Sequence, residues 1–179
     1  MTYKPYLLLP AFLFAACSTA DPSAEFVSNM QTLCGKTYTG QVVSSDPQDE
    51  SWRRETLVLG PVRCDGARME MPLAVGEDRS RTWVITPKGE NLHFFHIHAH
   101  LDGTEDAVSR YGGNAVVKSS VQARFPADKF SQDLFVREGL EVSVPNIWSF
   151  DIAPDVILAY ELNRPGRHFR AEFDLSATN

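Results

Sequence analysis

Four of the five histidines fall in one short stretch: His93, His96, His98 and His100. Read as an extended segment, residues 91–101 send alternate side chains to opposite faces. The odd face carries His93, Phe95, Ile97, Ala99 and Leu101. The even face carries Leu92, Phe94, His96, His98 and His100, so three imidazoles project together, toward a cavity rather than bulk water. Neutral imidazole is a ligand for zinc, copper, nickel or iron. Same-face neighbours stand about 6.6 Å apart at a rise of ~3.3 Å per residue, so two of them can share an ion. His96 and His100, about 13 Å apart along a strand, reach one ion only in a near-linear arrangement, and zinc prefers a tetrahedral one. A His96–His98 or His98–His100 pair therefore needs a further ligand. The Asp102-Gly103 turn can fold Glu105 or Asp106 back beside His100, and distant His168 is another source. His96, His98 and His100 are thus the candidate ligands of a divalent transition metal. The competing reading is a row of histidines on a wet face or lining a polar interior, with no ion. Close imidazoles repel once protonated, so acid is expected to loosen this strand.

Two arginine clusters come next. Arg79, Arg81 and Trp83 follow the acidic loop Gly76-Glu77-Asp78, and Arg164, Arg167 and Arg170 flank the last turn. They read either as solvated charges at strand ends or as a grip for an anionic group at a barrel mouth. Trp148 and Phe150 read as core that can also line a cavity. Tyr111-Gly112-Gly113 reads as a backbone requirement for positive φ or close approach. No helix opens after these glycines, so they do not form a phosphate cradle. The chain has no Gly-x-Ser-x-Gly elbow, and no catalytic residue is assigned.

The elements that would position these residues are mostly strands. The chain has 179 residues, enough for one domain with a core and too few for two. Seventeen basic against 23 acidic residues give a formal charge of −6 and no basic patch, which excludes a nucleic-acid partner. Phe26, Met30 and Leu33 share a helical face over residues 23–35, with Ser23 as cap and Gly35 as stop. Residues 36–44, 54–59, 69–75, 81–86, 91–101 and 115–125 are β-type runs, and 45–50 is a polar loop. Residues 128–138 suit a short helix ended by Gly139. Period-two alternation is cleanest in 144–152, 156–162 and 169–175, separated by turns at Ala153-Pro154-Asp155 and Arg164-Pro165-Gly166. The expected fold is mainly β: a single antiparallel β-barrel of about 8–9 strands with one N-terminal helix, which plugs one end, and one further short helix.

The first residues give an address. One basic residue, Lys4, precedes the apolar run Leu7 to Cys17, too short to span a bilayer at about 20 residues. Phe14-Ala15-Ala16-Cys17 resembles a bacterial lipobox, with Phe14 where leucine is usual. The resemblance implies a signal peptide over 1–16, a lipid anchor on Cys17, a tether over 17–22 and a barrel domain over 23–179. Ser18 after the cysteine implies an outer-membrane lipoprotein facing the periplasm, the alternative being a plainly secreted protein. Cys34 and Cys64 are then expected to bridge in an oxidising compartment. Closing that loop would contribute roughly 3–4 kcal/mol in the chain-entropy model. Two separately buried thiols are the alternative.

Several blocks resemble an uncharacterised family of exported bacterial proteins. They are His96 to Asp106, Tyr111-Gly112-Gly113, Phe125-Pro126-Ala127-Asp128, Asn146-Ile147-Trp148 and Phe169 to Leu175. That resemblance implies a His-x-His-x-His…Asp-Gly…Tyr-Gly-Gly signature and no activity. Gly35-Lys36-Thr37-Tyr38 after a helix loosely resembles the opening of calycin barrels such as lipocalins, which implies the fold and not the ligand. The expected function is non-catalytic binding of a small apolar molecule or a metal ion, in or at the mouth of the barrel. A metal-dependent enzyme built on the histidine strand is one alternative. A structural or interaction lipoprotein of the envelope is the other.

Overall fold

The computed structural model describes residues 21–177. The signal over 1–16, the lipid-bearing Cys17 and most of the 17–22 tether lie outside the described residues.

Helix α1 spans Pro22–Gln31 and buries Phe26 and Met30. Its cap is Asp21, whose carboxylate accepts the amide of Ser23 at 3.0 Å, so the helix starts two residues earlier than a Ser23 cap would place it. Asp-Pro is the stronger signal, because proline at the first helical position loses no hydrogen bond. The expected cysteine pair is present: Cys34 and Cys64 form a disulfide with their Cα atoms 5.8 Å apart.

Twelve antiparallel strands follow: β1 (Tyr38–Val42), β2 (Leu57–Leu59), β3 (Arg63–Asp65), β4 (Arg68–Val75), β5 (Asp78–Lys88), β6 (Asn91–His98), β7 (Gly112–Asn114), β8 (Val116–Ser119), β9 (Gln122–Pro126), β10 (Ile147–Ala153), β11 (Ile157–Arg164) and β12 (Arg167–Asp174). Two more short helices interrupt them, α2 (Glu50–Arg53) and α3 (Lys129–Arg137). The sheet runs β7-β6-β5-β4-β2-β1-β12-β11-β10-β9-β8, with β3 added beside β4. The barrel is as expected, and its strand count is higher. Residues 115–125 are a hairpin of two strands rather than one, and the two short strands around Cys64 and Gly113 carry no apolar alternation that would mark them.

The sheet nearly closes where the two ends of this path meet. Gly112 and Gly113 form that seam: a Cβ on either would sit 1.8 Å from a carbonyl oxygen, Phe94 for the first and Pro126 for the second. The Asp128 amide donates to the Gly112 carbonyl at 2.9 Å across the seam. The double glycine therefore answers a need for close approach, one of the two reasons expected of it.

Register carries the alternation around the barrel. Leu158 faces Phe173, Tyr160 faces Ala171 and Leu162 faces Phe169, and all point inward. Phe94, Phe125, Trp148, Phe150 and Phe173 are fully buried, and the first four meet edge-on or tilted, Phe94 and Phe150 at 5.0 Å between centroids. Burying each such side chain contributes roughly 1.5–3 kcal/mol. Helix α1 packs at the end bearing the β8–β9 turn, where Asn29 donates to the Ser120 carbonyl at 2.8 Å. The opposite end, bearing the β4–β5 and β11–β12 turns, is open.

Candidate functional site

A cavity of about 360 Å³ occupies the open end. All three tryptophans of the chain line it: Trp52, Trp83 and Trp148. Leu162, Tyr160 and Phe169 continue the apolar wall from β11 and β12, and Val108, Phe135 and Leu140 close it from the loops and α3. Trp83 stacks on Tyr160, centroids 4.1 Å apart and planes at 18°. The wall residues carried by strands sit where parity puts them. Trp83 pairs with His96 and Arg81 with His98 across β5–β6, both pairs on the inner face.

The histidine strand delivers two imidazoles to this cavity, not three. Phe94, His96 and His98 point inward as the alternation predicts. The strand then ends at His98. The His100 amide is taken by Thr104 at 2.8 Å in the Asp102-Gly103 turn, and His100 is exposed and outside the cavity. His93, on the other face, meets Asp128 at 3.1 Å beside the start of α3.

His96 is 4% exposed, and both its nitrogens are engaged. Nδ1 lies 3.1 Å from the Tyr111 carbonyl, which can only accept, so Nδ1 carries the proton. Nε2 therefore accepts from the Tyr160 hydroxyl at 2.8 Å. Burial holds the His96 pKa down to about 3, so the ring is neutral. His98 Nε2 and the Tyr111 hydroxyl share a hydrogen bond of 2.9 Å. Burial, then the Arg81 charge, lowers the His98 pKa as well. Burial raises both tyrosine pKa values, so the phenols stay protonated.

The remaining candidate ligands lie elsewhere. Glu105 pairs with Arg110, and Asp106 caps the Val108 amide at 2.7 Å. His168 is on the outer face, 3.5 Å from Glu161. Among the described residues no three His, Cys, Asp or Glu side chains converge on a point where they could hold a metal ion.

The arginine clusters are divided by parity. Arg81, Arg164 and Arg167 line the cavity. Arg79 is exposed against the Gly76 carbonyl, and Arg170 pairs on the outer face with Glu161 and Glu172. Arg81 lies over the Trp52 ring at 5.0 Å and pairs with Asp78. Arg167 pairs with Asp49, which is 2% exposed, and lies 3.1 Å from Asp46.

Asp49 and Trp52 come from the stretch expected to be a loop followed by a strand. A single 3-10 turn, Pro47–Asp49, runs into α2 instead, and brings both residues to the cavity rim. The signal was Asp46-Pro47: the Asp46 carboxylate accepts the Gln48 amide at 2.9 Å, with proline at the first helical position. Tyr111 precedes β7 and lies on no alternating strand, so no period marks its side chain as inward.

Compared with protein-family models, with curated proteins and with solved structures, the chain matches none.

Proposed function

We propose that this chain is a non-catalytic binding protein of the bacterial envelope, tied to the outer membrane by a lipid on Cys17 and facing the periplasm, and that its cavity takes a small, largely apolar molecule. The observation that carries the reading is the wall: every tryptophan of the chain faces one cavity of about 360 Å³. That volume is at the small end of ligand sites, and apolar walls with a few polar groups are their usual make-up. The polar groups support binding over catalysis. His96 and His98 are each satisfied by a tyrosine whose hydroxyl burial keeps protonated, and neither ring bonds a carboxylate among the described residues. The anchor suits this use, since α1, the first described element, packs at the end remote from the cavity.

Trp52 gives the test. It sits half-buried at the rim on α2, so its removal spares the core. With octan-1-ol as probe, calorimetry is expected to show saturable one-site binding that weakens about tenfold in Trp52→Ala, the loss expected for one aromatic contact surface of ~1.4 kcal/mol. Equal affinity of the two proteins, or no saturable binding, would count against the cavity.

A further inference from the structure

We propose that the molecule this cavity takes is an organic acid, one carboxylate on an apolar body, and that Arg164 grips the carboxylate. The proposal rests on the binding reading above and adds the chemical class of the ligand.

The inward pairs along β11 and β12 end at the rim with Arg164 facing Arg167. Like charges directly opposite on a sheet repel, so this pair is costly unless each charge is answered. Arg167 is answered by Asp49 and Asp46. Arg164 is not. Its Nη1 donates to Ser143 Oγ at 3.2 Å and to Asn146 Oδ1 at 3.3 Å, both neutral, and no carboxylate pairs with it among the described residues.

A guanidinium presents five N–H donors in a flat fork. The contacts of Arg164 use one nitrogen, which leaves Nη2 and Nε for a two-point grip on a planar anion. Asn146 adds to the site. It is 5% exposed and lines the cavity, its Oδ1 accepts from Arg164, and its Nδ2 has no protein acceptor among the described residues. Among the described residues no buried side-chain polar atom lacks a partner, so that amide is not sealed off, and Asn146 lines the cavity.

The local charge points the same way. Three arginines line the cavity against the one carboxylate of Asp49, in a chain whose formal charge is −6. Arg81 and Arg167 have carboxylate partners, and Arg164 is the one of the three whose guanidinium meets none among the described residues, which suits a monoanion. The partly buried site makes that charge worth more than it would be on open surface. With its head on Arg164, the ligand's body lies along Leu162, Trp148 and Phe169, the wall that runs inward from the same rim.

The test compares octanoate with octan-1-ol by calorimetry on the full-length chain in detergent-free buffer. Octanoate is expected to bind at least tenfold more tightly than the alcohol. In Arg164→Gln that preference disappears, while the alcohol keeps its affinity within about threefold. Arg164→Lys, which keeps the charge and loses the fork, falls between. Should Arg164→Gln not fold, the wild-type comparison still decides, because added salt weakens octanoate and leaves octan-1-ol unchanged. Octanoate no tighter than octan-1-ol, or a preference that survives in Arg164→Gln, overturns the assignment of an acid and leaves the cavity reading standing. Octyl phosphate binding more tightly than octanoate overturns the carboxylate. Failure of every probe to bind overturns both readings.

Discussion

Between pH 7 and pH 4 the wild-type chain is expected to lose about 3 kcal/mol more stability than His96→Gln. The cause is the position of one ring. His96 is buried against Tyr111, Tyr160 and Trp148, and its pKa falls from the ordinary 6.5 to about 3. In the unfolded chain the imidazole takes a proton below 6.5. In the barrel it does not until about 3. The unfolded state therefore binds more protons through this window, and each pH unit removes ~1.4 kcal/mol of stability. The contribution is intact above 6.5 and is lost progressively below it. Protonation would also put a second donor opposite the Tyr160 hydroxyl, which now donates to Nε2. Glutamine can offer one donor and one acceptor without titrating. Carboxylates and His98 titrate in both proteins, so the difference isolates His96. Urea unfolding at the two pH values measures it, and equal acid losses would show that the ring is not buried as described. Acid sensitivity of this strand was expected from repulsion between neighbouring imidazoles. Burial is the larger cause, with His98 a lesser one.

Arg167→Gln is expected to cost about 3–5 kcal/mol, because it strands a buried carboxylate. Asp49 is 2% exposed, and without Arg167 its partner would be the Ser44 hydroxyl at 2.7 Å. Asp49 and Arg167 are 118 residues apart in sequence, so the pair fastens the 3-10 turn and α2 to the rim of β12. The second half of the expectation follows from that. Asp49→Asn combined with Arg167→Gln restores most of the loss, since no lone charge is then buried. Octan-1-ol affinity also drops in the single variant, as Trp52 is carried by the loosened segment. Chemical denaturation of the two single variants and the double variant checks this. A cost under about 1 kcal/mol for Arg167→Gln would place the pair with ordinary surface bridges.

Much of this site can be read in the residues before any fold is known, and the parts that cannot have identifiable causes. Parity placed Phe94, His96 and His98 on one inner face, and it placed Trp148, Phe150, Phe169 and Phe173 in the core. It failed at His100, because alternation has no means of marking where a strand turns. The backbone leaves β6 after His98, and the third imidazole goes out to solvent with Leu101. The arginines show the reverse error. Arg164 continues the inward series of Leu158, Tyr160 and Leu162, and Arg167 precedes Phe169, Ala171 and Phe173 at the same interval. Extending each alternation past its last apolar residue would have separated them from Arg170. Asp49 and Trp52 lay behind a helix of four residues, too short to show a period. Only the Asp-Pro cap announced it.

The most direct measurement of the central claim follows the indole N–H resonances of Trp52, Trp83 and Trp148 in the 15N-labelled full-length chain during titration with octan-1-ol. If the cavity is the binding site, all three move, since all three line it, and they saturate together with the affinity found by calorimetry. Three indoles that stay in place while the probe binds elsewhere, or while nothing binds up to its solubility, would contradict the account.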